Sequence, residues 1–147
     1  MDKLYPILAQ MKTSLDELEA IMIEEINQLS RAKINPVSLQ VLSDNKSQLL
    51  SSIQYYDEIR HRQELLSSMR APYSQHGKLF TCWNLISERV HNTKELNVKI
   101  ETLLQKHMKK NQHMLKAVEH TGYLDILYDP AGNSKQASIG HKYDISI

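Results

Sequence analysis

Apolar side chains recur along the first thirty residues at alternating steps of four and three. This seam consists of Leu4, Leu8, Met11, Leu15, Leu18, Met22, Ile26 and Leu29. A seam of nearly four heptads is typical of a helix that buries one stripe against other helices. Five acids lie between the seam positions and are expected to face water: Asp16, Glu17, Glu19, Glu24 and Glu25. We therefore predict a first helix over residues 2–31.

The seam breaks at residues 31–35 and resumes after Pro36. Asn35 is a favourable N-cap residue, and Pro36 fits a first helical turn because its missing N–H has no partner there anyway. The renewed seam is Leu39, Leu42, Leu49, Ile53, Tyr56 and Ile59, with Lys46 in one interior position. It predicts a second helix over residues 36–69, followed by a connection that Pro72 and Gly77 mark.

The third seam is the longest. It runs through Leu79, Trp83, Ile86, Val90, Thr93, Asn97, Ile100, Leu104, His107, Asn111, Met114 and Val118, and it predicts a helix over residues 76–119. Three such seams predict an all-α fold, an up-down-up antiparallel bundle of three long, coiled-coil-like helices. Its interior is expected to include Leu15, Leu18, Leu49, Ile53, Ile86 and Val90.

The end of the chain has a different composition. Three of the four glycines fall within the last 26 residues, beside Pro130. We therefore predict a helical bundle over residues 1–120 and a flexible tail over residues 121–147.

Helix length gives the first indication of function. At 1.5 Å per residue the predicted helices are about 45, 50 and 65 Å long, so the third must extend past the turn between the first two. Met108, Met114, Leu115 and Val118 then lack an apolar partner within the chain. Exposed apolar surface of this kind marks a binding site, and methionine adapts to more than one partner.

Composition restricts the class of protein. Glycine and proline number four each among 147 residues, too few for the turns of a sandwich or barrel. No apolar run approaches the length that crosses a bilayer, and Cys82 is the single cysteine. We therefore expect a cytoplasmic protein without membrane insertion.

Charge is distributed unevenly along the chain. Residues 1–30 carry six acids and two bases, whereas residues 69–118 carry three acids and nine bases. The basic run includes Lys99, Lys106, Lys109, Lys110 and Lys116. Because arginine is scarce and aromatic residues are not interleaved, this run favours a solvated face or a complement to the acidic first helix over a nucleic-acid site.

The sequence shows no catalytic or metal-binding constellation. The pairs Glu58 with His61 and Glu88 with His91 have the Glu-x-x-His spacing of di-iron bundles, but they lie off the seams and a fourth helix is missing. Cys82 lies within a helical pattern, without the glycine-rich elbow and the Asp or His partner of a nucleophile. No nucleotide-binding loop is present. We therefore expect neither an enzyme nor a cofactor.

Several segments carry a family resemblance. The strings LYPILAQMKTSLDELEAIMIEE and LQVLSDNKSQLLSSI match in pattern, and ELNVKIETLLQKHMKKNQHMLKAV, LYDPAGNS and the final ISI match in more specific elements. With them, nearly the whole chain resembles the FlgN flagellar export chaperones. Ile100 and the segment 122–126 depart from the family pattern.

The resemblance implies partners and binding residues. The cargo would be hook-filament junction proteins of the FlgK and FlgL type, held through their terminal helical segments until export. The cargo-binding residues would be Leu96, Asn97, Ile100, Leu103, Leu104, Met108, Asn111, Met114, Leu115 and Val118. Tyr128, with Leu127, would dock the loaded chaperone on the cytoplasmic domain of the export gate FlhA.

A second interpretation uses the same residues. The chain would then be a structural or adaptor coiled-coil protein that associates with itself through its seams. A homodimer is compatible with both interpretations.

Overall fold

The computed structural model describes the backbone of residues 3–119 and the side chains of residues 3–112. Helix α1 spans Leu4–Leu29, α2 spans Pro36–Ser67 and α3 spans Gly77–Glu119. These bounds lie within two residues of those predicted from the seams. α1 packs along both other helices, whereas the backbones of α2 and α3 hardly approach each other. The prediction of an all-α bundle of three long helices is confirmed.

The seam of α1 forms the centre of the core. Leu4, Leu8, Met11, Leu15, Leu18 and Met22 are 0% exposed. From the flanking helices Ile53, Ile86 and Ile100 are equally buried, Val90 is nearly so, and Leu49 packs partly buried against them. The core is aliphatic, as the seams predict, and its burial stabilises the bundle by about 1.5–3 kcal/mol for each fully buried side chain.

The start of α2 is fixed by local chemistry. The Asn35 side chain accepts a hydrogen bond from the backbone N–H of Ser38 at 3.2 Å, and Pro36 occupies the first turn. The cap satisfies one of the four N–H groups that a helix start leaves without partners. The predicted cap is therefore confirmed.

One predicted solvent-facing acid is buried instead. Glu25 is 3% exposed, and its carboxylate lies 3.5 Å from the ammonium of Lys46, which is 2% exposed. The expectation that Glu25 faces water was wrong because α2 places a cation against that side of α1. Burial raises the pKa of Glu25, and the nearby Lys46 opposes this rise only partly.

A polar cluster closes the connection between α2 and α3. Arg60 bonds Glu64 at 3.1 Å and lies 4.5 Å above the centre of the Trp83 ring. Glu64 also accepts hydrogen bonds from the hydroxyl of Tyr73 and the backbone N–H of Ala71, both at 2.8 Å. The connection is therefore anchored to the bundle, and Tyr73 is a core residue that the seams do not predict.

Candidate functional site

One hydrogen bond joins the end of α1 to α3. Nε2 of His107 lies 2.6 Å from the backbone carbonyl oxygen of Leu29, the last residue of α1. Because a carbonyl oxygen only accepts, Nε2 carries the proton and donates it. The bond satisfies one of the carbonyl groups that the end of a helix leaves without partners. It also fixes His107 level with the end of α1.

Helix α3 continues past this level. Residues 108–119, which we call the overhang, extend about 18 Å beyond His107 at the usual helical rise. α2 begins at Pro36, only a short turn after α1 ends, and runs back along the bundle. The described parts of α1 and α2 therefore do not accompany the overhang.

Burial along the seam of α3 falls steadily toward the overhang. Ile100 is 0% exposed, Leu104 and His107 are half-buried, and Asn111 is exposed. The seam keeps its spacing, but its residues become polar at His107 and Asn111, and α1 ends at the level of His107. The fall in burial accompanies both changes. In the sequence the seam becomes apolar again at Met114 and Val118, and an apolar stripe beyond the end of a bundle is typical of a surface that binds another helix.

The predicted cargo residues fall into two groups. Leu96, Leu103 and Leu104 pack partly buried against the core, while Asn97 and Ile100 lie in its interior. In this structure those five residues hold α3 against the bundle. Met108 is half-buried and Asn111 is exposed at the start of the overhang. The remaining predicted side chains, Met114, Leu115, Val118, Leu127 and Tyr128, lie outside the described residues.

Asn97 carries a polar atom without a partner. Its amide nitrogen lies 3.3 Å from the carboxylate of Glu101, but its side-chain oxygen is buried and accepts no hydrogen bond. Gln28 on α1 likewise has a buried oxygen without a donor. Unsatisfied buried groups cost about 1–3 kcal/mol each, so these two oxygens reduce the stabilisation that burial gives at their positions.

Lysines surround the beginning of the overhang. Lys106, Lys109 and Lys110 are exposed, and none of the ion pairs found over residues 3–112 involves them. Three acids of α1 have other partners, because Asp16 and Glu19 lie 2.8 and 3.9 Å from Arg89 and Glu25 lies 3.5 Å from Lys46. Of the two predictions for this basic run, the structure therefore favours a solvated face over a complement to α1.

The ion pair of Asp16 joins α1 to α3 farther down the bundle. Partial burial alone would raise the pKa of Asp16, but hydrogen bonds from Lys12 and Arg89 outweigh it and lower the pKa. The pair is half-exposed, so its net contribution to stability is about 0–1 kcal/mol. It joins α1 and α3, which lie side by side in parallel, at one level of the bundle.

The described residues do not form a reactive centre around Cys82. Cys82 is 8% exposed within the core, and burial raises the pKa of its thiol, which is opposite to the change that activates a nucleophile. Within the range described, no three His, Cys, Asp or Glu side chains converge as metal ligands. Nor does any helix in that range combine the length and apolarity needed to cross a bilayer.

Comparisons with known proteins agree over nearly the full chain. A family model described as "FlgN protein" matches residues 1–136. The flagella synthesis protein FlgN of Yersinia enterocolitica is 31% identical over 146 residues, which is 99% of each chain. The protein of that name from Salmonella typhimurium is 30% identical over 142 residues, 97% of this chain and 95% of its own. No solved structure gives a significant match.

Proposed function

The chain belongs to the FlgN family, and on that premise we propose that it is a cytoplasmic export chaperone whose overhang binds junction-protein cargo. In this proposal it covers the terminal helical segments of FlgK- and FlgL-type proteins, prevents their premature assembly and delivers them to the flagellar type III export gate. Binding and delivery need no reaction, so no catalytic role is proposed.

The bond between His107 and Leu29 is the observation that carries the proposal. It marks the end of α1 along α3 and leaves the overhang without accompanying helices in the described structure. A cargo helix laid along the overhang would replace them and bury the continuing apolar stripe, as amphipathic helices do in the grooves of their receptors. Met108, beside the seam in the first turn of the overhang, would be the first anchor.

The lysines around the overhang favour a partner with acidic side chains. With Lys106, Lys109 and Lys110 unpaired among the described residues, the field around the overhang attracts acidic side chains. Such attraction raises the rate of encounter more than the final affinity, and it weakens with salt. Rapid and reversible capture suits a chaperone that must release its cargo.

The adaptor interpretation needs the seams for self-association. Leu15, Ile53 and Ile86 from those seams are buried inside the chain's own bundle, which favours the chaperone over an adaptor that pairs through the same residues.

Substitution at Met108 tests the proposal. Met108→Asp would place a charge in the apolar contact and should weaken binding of a junction protein at least about tenfold in calorimetry. The double variant Met114→Asp with Leu115→Asp should do the same. Val98→Asp is the matched control, because Val98 is an apolar α3 residue that is 62% exposed beside the bundle rather than on the overhang.

The binding test requires that these variants keep the wild-type fold. Thermal melting followed by circular dichroism should show unchanged helix content for all three. If the overhang variants bind cargo as tightly as the wild type while Val98→Asp binds more weakly, the cargo lies against the bundle and the overhang proposal is wrong.

We place docking on the export gate in the tail. Tyr128 is an aromatic anchor beside Leu127, and a single aromatic in such a segment gives weak, rapidly reversible docking. Tyr128→Ala should reduce binding of the loaded chaperone to the FlhA cytoplasmic domain and leave cargo affinity unchanged. Tyr143→Ala is the control within the same tail. Equal gate affinity for the Tyr128→Ala and wild-type complexes would remove Tyr128 from the proposal.

A further inference from the structure

The outer face of α3 carries a row of lysines that the bundle does not use. This row, which we call the basic stripe, consists of Lys99, Lys106, Lys109 and Lys116, at steps of seven, three and seven, with Lys110 beside them. Such steps place side chains on one face of a helix. The four lysines up to Lys110 are exposed, and none of them forms an ion pair within residues 3–112.

The basic stripe lies opposite the face of α3 that packs against α1. Each of its four regularly spaced members follows a seam residue by two positions, as Lys106 follows Leu104. Two residues turn an α-helix by about 200°, so the stripe and the seam lie on nearly opposite faces. Leu104 packs against the core, whereas Lys106 is exposed. The stripe is therefore part of the convex outer surface of the bundle, on the side away from α1.

The charge of this surface has one sign over a limited length. Residues 99–116 include five lysines and a single acid, Glu101. Glu101 is half-buried off the stripe, where its carboxylate lies 3.3 Å from the amide nitrogen of Asn97. Toward the start of α3, the outer face carries the acids Glu88 and Glu95 instead. The basic surface is thus confined to about 25 Å of helix at the end that leads into the overhang.

Shape and residue type favour a flat, anionic partner. A row of lysines on a convex helix face offers no groove for a protein segment, but a plane can touch the whole row at once. Lysine binds as a point charge, and residues 99–116 include no Phe, Trp or Tyr on which a nucleic-acid base could stack. Four to eight basic residues on one helix are typical of binding to anionic lipid head groups.

We propose that the basic stripe binds the surface of an anionic lipid bilayer, with α3 lying along the membrane and α1 on the far side of α3. Attachment depends on charge, since the stripe itself has no apolar side chain, and each lysine strengthens binding about fivefold. The seam positions of the overhang lie on the opposite face of α3, so bilayer and cargo can bind together. In the proposed function the lysines act on cargo only through their field, and the membrane proposal does not rest on that function.

Co-sedimentation of the full chain with lipid vesicles tests the proposal. The wild type should bind vesicles of phosphatidylcholine with about 30% phosphatidylglycerol and should not bind vesicles of phosphatidylcholine alone. Binding measured in about 50 mM salt should be lost in about 0.5 M salt, which screens exposed charges. Lys106→Gln with Lys109→Gln should weaken binding about 25-fold, because two lysines of about fivefold each are removed. Lys106→Arg with Lys109→Arg keeps both charges and should retain binding.

A second pair of lysines on α3 is the matched control. Lys78 and Lys94 are exposed, but each directly adjoins a seam residue in the sequence and so lies off the stripe. Lys78→Gln with Lys94→Gln removes the same net charge and should weaken vesicle binding less than about threefold. Every variant should keep the wild-type melting curve, because none of the substituted lysines forms an ion pair within residues 3–112.

The outcomes separate an anionic bilayer from other partners. Equal binding to both kinds of vesicle, or binding to neither, overturns the proposal. Anionic binding that Lys106→Gln with Lys109→Gln leaves unchanged also overturns it, because another surface then meets the lipid. The same variants are measured against a single-stranded RNA probe, and RNA binding through the stripe without vesicle binding would make the stripe a nucleic-acid site instead. Because these measurements use the free chain, their failure leaves the proposed function unaffected.

Discussion

At the scale of single residues, two buried cations distinguish this bundle from a purely aliphatic one. Lys46 is 2% exposed and Arg60 is 4% exposed. Within residues 3–112, Lys46 faces only Glu25, at the long distance of 3.5 Å, whereas Arg60 has two close carboxylates, the hydroxyl of Tyr73 and the Trp83 ring. A buried charge is tolerated only when its partners replace water. The Arg60 cluster meets that condition more fully than the Lys46 pair does.

Removing Lys46 should therefore destabilise the chain through the acid left behind. We expect Lys46→Met to lower the free energy of unfolding by about 3–5 kcal/mol, because Glu25 stays buried without a counter-charge. The double variant Lys46→Met with Glu25→Met should regain most or all of that loss. Urea denaturation of the wild type and both variants measures these changes in the free energy of unfolding. If the double variant is no more stable than Lys46→Met, the pair contributes something other than charge compensation.

The same pair predicts a dependence on pH. Burial raises the pKa of Glu25, so the folded chain holds this proton more tightly than the unfolded chain. The contribution of Glu25 to stability is then fully present below the ordinary glutamate pKa of about 4.3 and is lost as pH rises through the folded value. Lys46→Met should cost less stability at acid pH, where Glu25 is protonated, than at neutral pH. Denaturation at both pH values, with wild type alongside, measures the difference, and an equal cost at each would contradict the argument.

At the scale of helices, the sequence predicts the features that depend on residues close together in the chain. The start of α2 follows from Asn35 and Pro36 alone, since a cap and a first turn involve only local backbone groups. The three helices and most of the core follow from the seams, because each seam is a spacing of residues within one helix. The overhang follows from length, because an α3 of 43 residues cannot be matched by an α1 of 26.

Features that depend on contacts between distant segments could not be predicted. Glu25 is acidic and off the seam, and only Lys46 on another helix explains its burial. Tyr73 follows a proline in a segment without periodicity, yet Glu64 and Trp83 hold it in the core. In the candidate site, the seam spacing alone could not show that Ile100 is fully buried while Asn111 is exposed. That depends on where α1 ends.

The cap of α2 gives a test at this scale. Asn35→Ala should lower the free energy of unfolding by about 1 kcal/mol, because the backbone N–H of Ser38 loses its acceptor at 3.2 Å. Asn45→Ala is the matched control, an exposed position within α2 where alanine is the better helix former. Chemical denaturation compares them. A loss of equal size in both variants would mean that the cap contributes no specific stabilisation.

At the scale of the whole molecule, the bundle and the proposed binding surface occupy different parts of α3. The bundle up to His107 is held by an aliphatic core, an anchored connection and the ion pair between Asp16 and Arg89. Beyond His107 the described structure shows α3 without a neighbouring helix and with exposed lysines in its first turn. One helix is thus long enough both to complete a bundle and to extend from it, so a partner can bind the extension without opening the core.

Hydrogen–deuterium exchange with and without a junction protein tests this account most directly. Backbone amides in a helix that lacks neighbours exchange fast, and a bound helix slows them by suppressing local opening. We predict that saturating cargo protects the amides of residues 108–119 strongly and leaves those of residues 79–92 unchanged. Protection confined to the bundle, with the overhang exchanging as fast as in the free chain, would contradict the claim that the overhang binds the cargo.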